Sequence, residues 1–204
     1  MITIVNYGIG NIRAFHKIYS QLHFNVKIAN TPTELDGATK LILPGVGSFD
    51  WAMQNLIASG MRPKLDELVL NRKIDVLGVC VGMHIMASSS EEGEASGLGW
   101  IDAEVVKIRS EAGCRFIKTP HMGWNDISYD NQQPLFTNLN QAQFYFLHSF
   151  YLKTKNDNET IATASYGSDF TVAVRRQNIY GTQFHPEKSH LWGTVLLKNF
   201  AENI

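Results

Sequence analysis

The sequence predicts an α/β protein, with a mostly parallel sheet flanked by helices in its first half and a mixed or antiparallel β extension in its second. Two observations carry this. Three strand-helix alternations precede residue 90, the pattern of parallel strands joined by helical crossovers. From Trp100 onward helical spacing gives way to short β-type runs, closed by a final amphipathic stretch. A chain of 204 residues, 44% hydrophobic and 18% charged, can fill one such core, so a single domain over residues 1–204 is expected.

Taken in order, residues 2–5 form a β run, and Gly8 and Gly10 let the chain turn out of it. A helix starting at Asn11 then buries Ile12, Phe15, Tyr19 and Leu22. Gly8-Ile9-Gly10 is no dinucleotide fingerprint: Arg13 stands where the third glycine belongs, and no acidic residue follows the second strand at 26–29. Residues 41–43 make a buried strand running into Pro44-Gly45-Val46-Gly47-Ser48-Phe49. That loop has no reactive side chain, but its amides sit at a strand's carboxyl end, where open α/β sheets place ligands. Helices are expected at 50–58 and 63–71, the second with Pro63 in its first turn. A buried strand then ends at Cys80, and Met83, Met86 and Ala87 continue at helical spacing. Residues 88–97, rich in Ser, Glu and Gly, read as a loop of solvated acids. Strands are expected at 101–109, 144–148, 160–165, 170–175 and 179–183, as a meander or sheet extension, with a helix at 191–204.

Composition excludes several classes of function. Eighteen Lys plus Arg against 19 Asp plus Glu give a net charge of -1, so nothing favours nucleic acid or an anionic membrane. The two cysteines, Cys80 and Cys114, form no C-x-x-C pair, which removes a disulfide framework and a cysteine zinc site. The first residues lack a signal peptide's basic and apolar regions, and no run approaches a membrane span. A cytoplasmic protein is expected.

Chemistry concentrates at Gly78-Val79-Cys80-Val81-Gly82. This copies the layout of a hydrolase elbow, with sulfur for oxygen, between strand and helix. The helix start favours a thiolate, and a buried structural cysteine is the alternative. A cysteine nucleophile needs a base and a group to orient the base. Phe184-His185-Pro186-Glu187 offers both, His185 to take the thiol proton and Glu187 to hold the ring, and a surface histidine beside a solvated glutamate is the alternative reading of that turn on its own. His121 and His148 show no metal-ligand spacing, and neither a metal nor a cofactor is expected.

These residues resemble the Cys-His-Glu signature of class I glutamine amidotransferases. Within that family, Asn6-Tyr7-Gly8-Ile9-Gly10-Asn11, Pro44-Gly45-Val46-Gly47, His121-Met122-Gly123-Trp124-Asn125 and the run from Tyr145 to Tyr151 resemble the glutaminase subunits of imidazole glycerol phosphate synthase. The resemblance implies a flavodoxin-like sheet and hydrolysis of L-glutamine by Cys80, His185 and Glu187. Amides of Val81 and of the Val46-Gly47 loop would hold the oxyanion, that of Val46 after a peptide reorientation. His84, where the family commonly has glutamine, would contact substrate, and Ser149 and Phe150 would border the pocket. The resemblance also implies a heterodimer with a β/α-barrel cyclase subunit that consumes the ammonia. Met122, Trp124, Asn125 and Lys188 are the interface candidates, with Trp124 in an exposed loop. Asn6 stands where an acidic residue is frequent. Three other readings stay open: a paralogue feeding ammonia to a sugar-aminating synthase, a stand-alone cysteine γ-glutamyl hydrolase, and a non-catalytic module.

Overall fold

A computed structural model describes residues 1–109 and 117–204; Cys114 lies outside the described residues. The strands in chain order are β1 Ile2–Val5, β2 Val26–Ala29, β3 Lys40–Gly45, β4 Asp75–Cys80, β5 Ser89–Ser90, β6 Ala103–Lys107, β7 His121–Asp126, β8 Ser128–Tyr129, β9 Gln143–His148, β10 Phe150–Thr154, β11 Thr160–Ser165, β12 Asp169–Arg176 and β13 Ile179–Thr182. The helices are α1 Ile12–Gln21, α2 Phe49–Ala58, α3 Arg62–Asp66, α4 Val81–His84 and α5 His190–Glu202.

Eight strands form one sheet in the order β2-β1-β3-β4-β13-β12-β11-β8. The first five are mutually parallel, and the last three join antiparallel. Leu41, Ile42, Leu43, Val76, Leu77 and Val79 are buried without polar alternation, as strands covered by helices on both faces must be. One apolar core runs through sheet and helices. In α1, Phe15 and Tyr19 are fully buried, while Ile12 and Leu22 are half-buried at its ends.

Several expectations need correction. The strands at 103–107 and 143–148 do not extend the main sheet. The first joins β10 and β5 in a three-stranded sheet, and the second pairs with β7 as a two-stranded ribbon. Trp124 therefore stands on strand β7, not in a loop. The helix expected at 63–71 begins at Arg62 and passes into a π turn over Glu67–Asn71. The helix after Cys80 ends at His84, and the carbonyls just beyond it are taken by the returning chain: Leu98 N donates to Ile85 O, Gly99 N to Ala87 O and Ile101 N to Met86 O. Among the described residues no helix is long and apolar enough to cross a membrane.

Candidate active site

Strand β4 delivers Cys80 at its carboxyl end, 4% exposed, with φ 55° and ψ -115°. A non-glycine residue is seldom found there and stays only where its surroundings hold it. The strain sits on the cysteine itself; the flanking glycines do another job. A Cβ on Gly82 would lie 1.9 Å from Leu43 O, and one on Gly45 would lie 2.3 Å from Gly82 N. Backbone thus packs directly on backbone, which brings the loop after β3, with Val46 and Gly47, against the elbow.

The strand that completes the site arrives from the far end of the chain. β13 inserts parallel to β4 with Thr182 opposite Val79, so Gln183, Phe184 and His185 emerge beside Cys80. His185 Nδ1 lies 3.0 Å from Glu187 Oε1, with the two side chains 3% and 1% exposed. The ring is fixed further through its backbone: His185 N donates to Tyr145 O, and Ser189 Oγ donates to His185 O. With Nδ1 taken by the carboxylate, Nε2 is the ring nitrogen left for Cys80. Burial opposes a charged imidazolium, but hydrogen bonds and charge from Cys80 and Glu187 outweigh it and raise the His185 pKa to about 10.

These groups open on a cavity of about 310 Å³, the lower end of the range for small-ligand sites. Val46, Gly47, Val81, His84, Ser149 and Phe150 all reach its wall, so the sequence-predicted pocket residues are brought together. Leu147, His148 and Lys188 line it as well.

The reading of residues 88–97 as solvated acids is overturned for Glu92. Its carboxylate accepts from Phe49 N at 2.9 Å and lines the cavity, while Asp50 accepts from Glu94 N and Ala95 N. Burial raises the Glu92 pKa, and the bond from Phe49 opposes this. Nothing in the spacing of a Ser/Glu/Gly loop tells a cavity-facing acid from its solvated neighbours.

His84 is 2% exposed and its Nε2 lies 2.7 Å from Gln183 Oε1. Burial pushes its pKa down to about 4, the bond to Gln183 opposing part of the shift. Between about pH 6.5 and pH 4 the unfolded chain binds a proton at His84 that the folded chain refuses. Stability contributed by neutral His84 is therefore lost as pH falls through this window, by about 3 kcal/mol. Denaturant unfolding at pH 7.5 and pH 4.5 should show a smaller acid loss in His84→Gln than in the unaltered protein; equal losses would contradict the neutral buried imidazole.

His121 and His148 are bonded to each other. His148 Nδ1 lies 2.8 Å from Phe150 O and can only donate to it, so His148 Nε2 accepts from His121 Nδ1 at 3.0 Å, and His121 Nε2 faces Asn125 Nδ2 at 3.4 Å. Burial holds both rings neutral, lowering His121 to about 4 and His148 to about 3. Every tautomer in this chain follows from the carbonyl at its end.

Of the interface candidates, Met122 and Trp124 project outward, 66% and 46% exposed, and Trp124 stacks on His190 at 5.3 Å. Exposed Lys188 lies 5.6 Å from the Tyr145 ring centre, at the cavity rim. Asn125 differs: its amide turns inward to Ser165 O and His121. Asn6, with no acid in its place, bonds Asn30 and caps Gly8 N.

Comparison with known proteins gives this geometry its context. The family model described as glutamine amidotransferase class-I matches residues 3–204. The chain is 52% identical over 203 residues to imidazole glycerol phosphate synthase subunit HisH of Bdellovibrio bacteriovorus, covering 99% of this chain and 100% of that one. It is 50% identical to the subunit of the same name from Leptospira borgpetersenii, covering 98% and 99%. A crystal structure of a glutamine amidotransferase superposes with a TM-score of 0.76 at 19% identity, covering 98% of this chain and 97% of that one, which shows the shared fold. A family match over nearly the whole length, joined to relatives at half identity, places this chain in the class-I glutamine amidotransferase family.

Proposed function

We propose that this chain hydrolyses L-glutamine to glutamate and ammonia and passes the ammonia to a cyclase subunit making imidazole glycerol phosphate. The observation that carries the reading is Cys80 at a strained elbow, with the buried His185–Glu187 pair delivered beside it by the neighbouring parallel strand. The names of the relatives supply the pathway.

Cys80 Sγ attacks the side-chain carbonyl carbon of glutamine, forming a C–S bond and a tetrahedral oxyanion. His185 gives its Nε2 proton to the departing nitrogen as the C–N bond breaks, leaving a thioester and ammonia. The neutral ring then takes a proton from water as its oxygen attacks the thioester, and the thiolate leaves with glutamate as product. The Val81 amide, together with that of Val46 once the Gly45-Val46 peptide reorients, holds the oxyanion; one such donor is worth about 3 kcal/mol in the transition state. Glu92, the acid in the cavity wall, faces the substrate's α-ammonium. Glu92→Gln should raise KM roughly tenfold or more with little change in kcat, because an ammonium contact is made equally in ground and transition states; an unchanged KM would remove Glu92 from the substrate site.

The cyclase docks on the face where Met122, Trp124 and Lys188 stand exposed beside the cavity rim. Trp124→Ala should weaken the complex by about 2 kcal/mol, near thirtyfold in Kd, read by titration calorimetry. Binding as tight as that of the unaltered chain would move the interface elsewhere. The deciding assay is glutaminase turnover of the purified chain with and without a histidine-pathway cyclase and its acceptor substrate. Strong stimulation supports the reading, full activity alone would point to a stand-alone hydrolase, and inactivity in both would leave a silent module.

A further inference from the structure

One buried pair beside the nucleophile is not used by the reaction as drawn above. Gln183 is wholly buried, and its main-chain N donates to Val172 O, which fixes the residue in the sheet beyond β13. Its side chain reaches two groups: Oε1 lies 2.7 Å from His84 Nε2, and Nε2 lies 3.9 Å from Cys80 Sγ. An N–H to sulfur contact at that length is within the reach of the large, diffuse acceptor. His84 Nδ1, also buried, has no partner among the described residues.

The protons in this chain are determined by its ends. Burial keeps His84 neutral, so the ring has one N–H. A cysteine sulfur that must attack as a thiolate can only accept, which turns the Gln183 amide nitrogen toward it and the carbonyl toward His84. His84 Nε2 must then carry the ring's proton and donate it to Gln183 Oε1. The one N–H of the His84 ring is therefore spent on Gln183.

We propose that Gln183, clamped by His84, is a positioning residue for the nucleophile. Its amide donates to the Cys80 sulfur, so that the thiolate is held at the cavity and stabilised by a donor besides His185. The inference rests on the reading of Cys80 as the attacking group. The other titratable groups that face the sulfur or line its cavity are Tyr7 from the loop after β1, His185 after β13, and, in the cavity wall, His148 on β9, Glu92 and Lys188. Of these, His185 is the group whose charged form the sulfur favours. Gln183 is thus its one uncharged side-chain donor among the described residues. Replacing His84 by phenylalanine leaves the Gln183 carbonyl unsatisfied and frees the amide to turn its oxygen to the sulfur, which repels a thiolate. Glutamine at position 84 retains an N–H donor and restores the clamp.

The test is alkylation of the full chain by iodoacetamide across pH, followed at the Cys80 peptide by mass spectrometry so that Cys114 does not contribute. No glutamine or partner is needed. The acid limb of the profile reports formation of the Cys80–His185 ion pair. In Gln183→Met and in His84→Phe this limb should move to higher pH, with alkylation on the limb roughly tenfold slower, the weight of one hydrogen bond to a charged group. His84→Gln should return to within about threefold of the unaltered protein on the same scale. If Gln183→Met does not fold, His84→Phe with Gln183 intact decides the matter. Profiles of either variant superimposing on the unaltered one, or His84→Gln falling as far as His84→Phe, would overturn the positioning role. A chain that turns over glutamine with those unchanged profiles loses only this inference. A chain in which Cys80 reacts as an ordinary thiol and no glutamine is hydrolysed loses the nucleophile as well.

Discussion

Cys80→Ala should abolish glutamine hydrolysis, with kcat down by about 10⁴-fold or more, the scale seen when a nucleophile is removed from a catalytic unit. Alanine takes away the sulfur and keeps the Cβ, so the elbow's φ of 55° is no more strained than before. The variant should fold, bind its partner and trap no thioester in a quenched reaction analysed by mass. In the proposed function the acceptor chemistry belongs to the cyclase subunit, so the complex supplied with ammonium in place of glutamine should still make product. Hydrolysis within about tenfold of the unaltered rate would remove Cys80 from the mechanism, because general base and oxyanion effects alone do not supply such a rate.

His185→Ala should lower kcat by about 10³-fold or more, since in the proposed mechanism the ring both protonates the leaving nitrogen and activates water. Glu187→Gln should fall between, because an amide still holds Nδ1–H but stabilises the imidazolium less. A pH signature accompanies the loss. With its pKa raised to about 10, His185 is the charged acid throughout the neutral range, and kcat/KM should decline only as pH climbs toward that value and the imidazolium is lost. His185→Ala should have no such alkaline limb. A profile falling near pH 6.5 to 7 on its alkaline side would mean that the ring is not paired with a thiolate in the free enzyme.

How far the sequence reaches differs from element to element. The parallel half was legible because β3 and β4 are uninterrupted apolar runs ending at glycine-bearing turns, and local pattern decides such strands. The second half was legible as β structure but not as sheets. Residues 103–107, 143–148 and 179–182 all read as short β runs, yet they enter three different sheets, because strand pairing is a long-range choice that a local pattern does not encode. Trp124 was read as a loop residue for a related reason. Gly123 has φ 129° in the middle of β7, and a glycine inside a strand reads as a break. Glu92 and Gln183 were missed as site residues since neither type nor spacing separates them from a surface acid or a core amide.

By itself the sequence determined the chemistry available: one cysteine on an elbow, one His-Pro-Glu turn, a glycine-bearing loop after a buried strand, and no charge excess to suggest another kind of partner. These depend on residue type and short spacing, which are local. Only the tertiary structure decided that β13 lies beside β4 in the register that sets His185 and Gln183 against Cys80, across about a hundred residues of chain. It also decided that His84 is spent on Gln183. Such contacts follow from the packing of the whole sheet, since a parallel neighbour is selected by the free energy of the entire core and not by the segment that carries the motif.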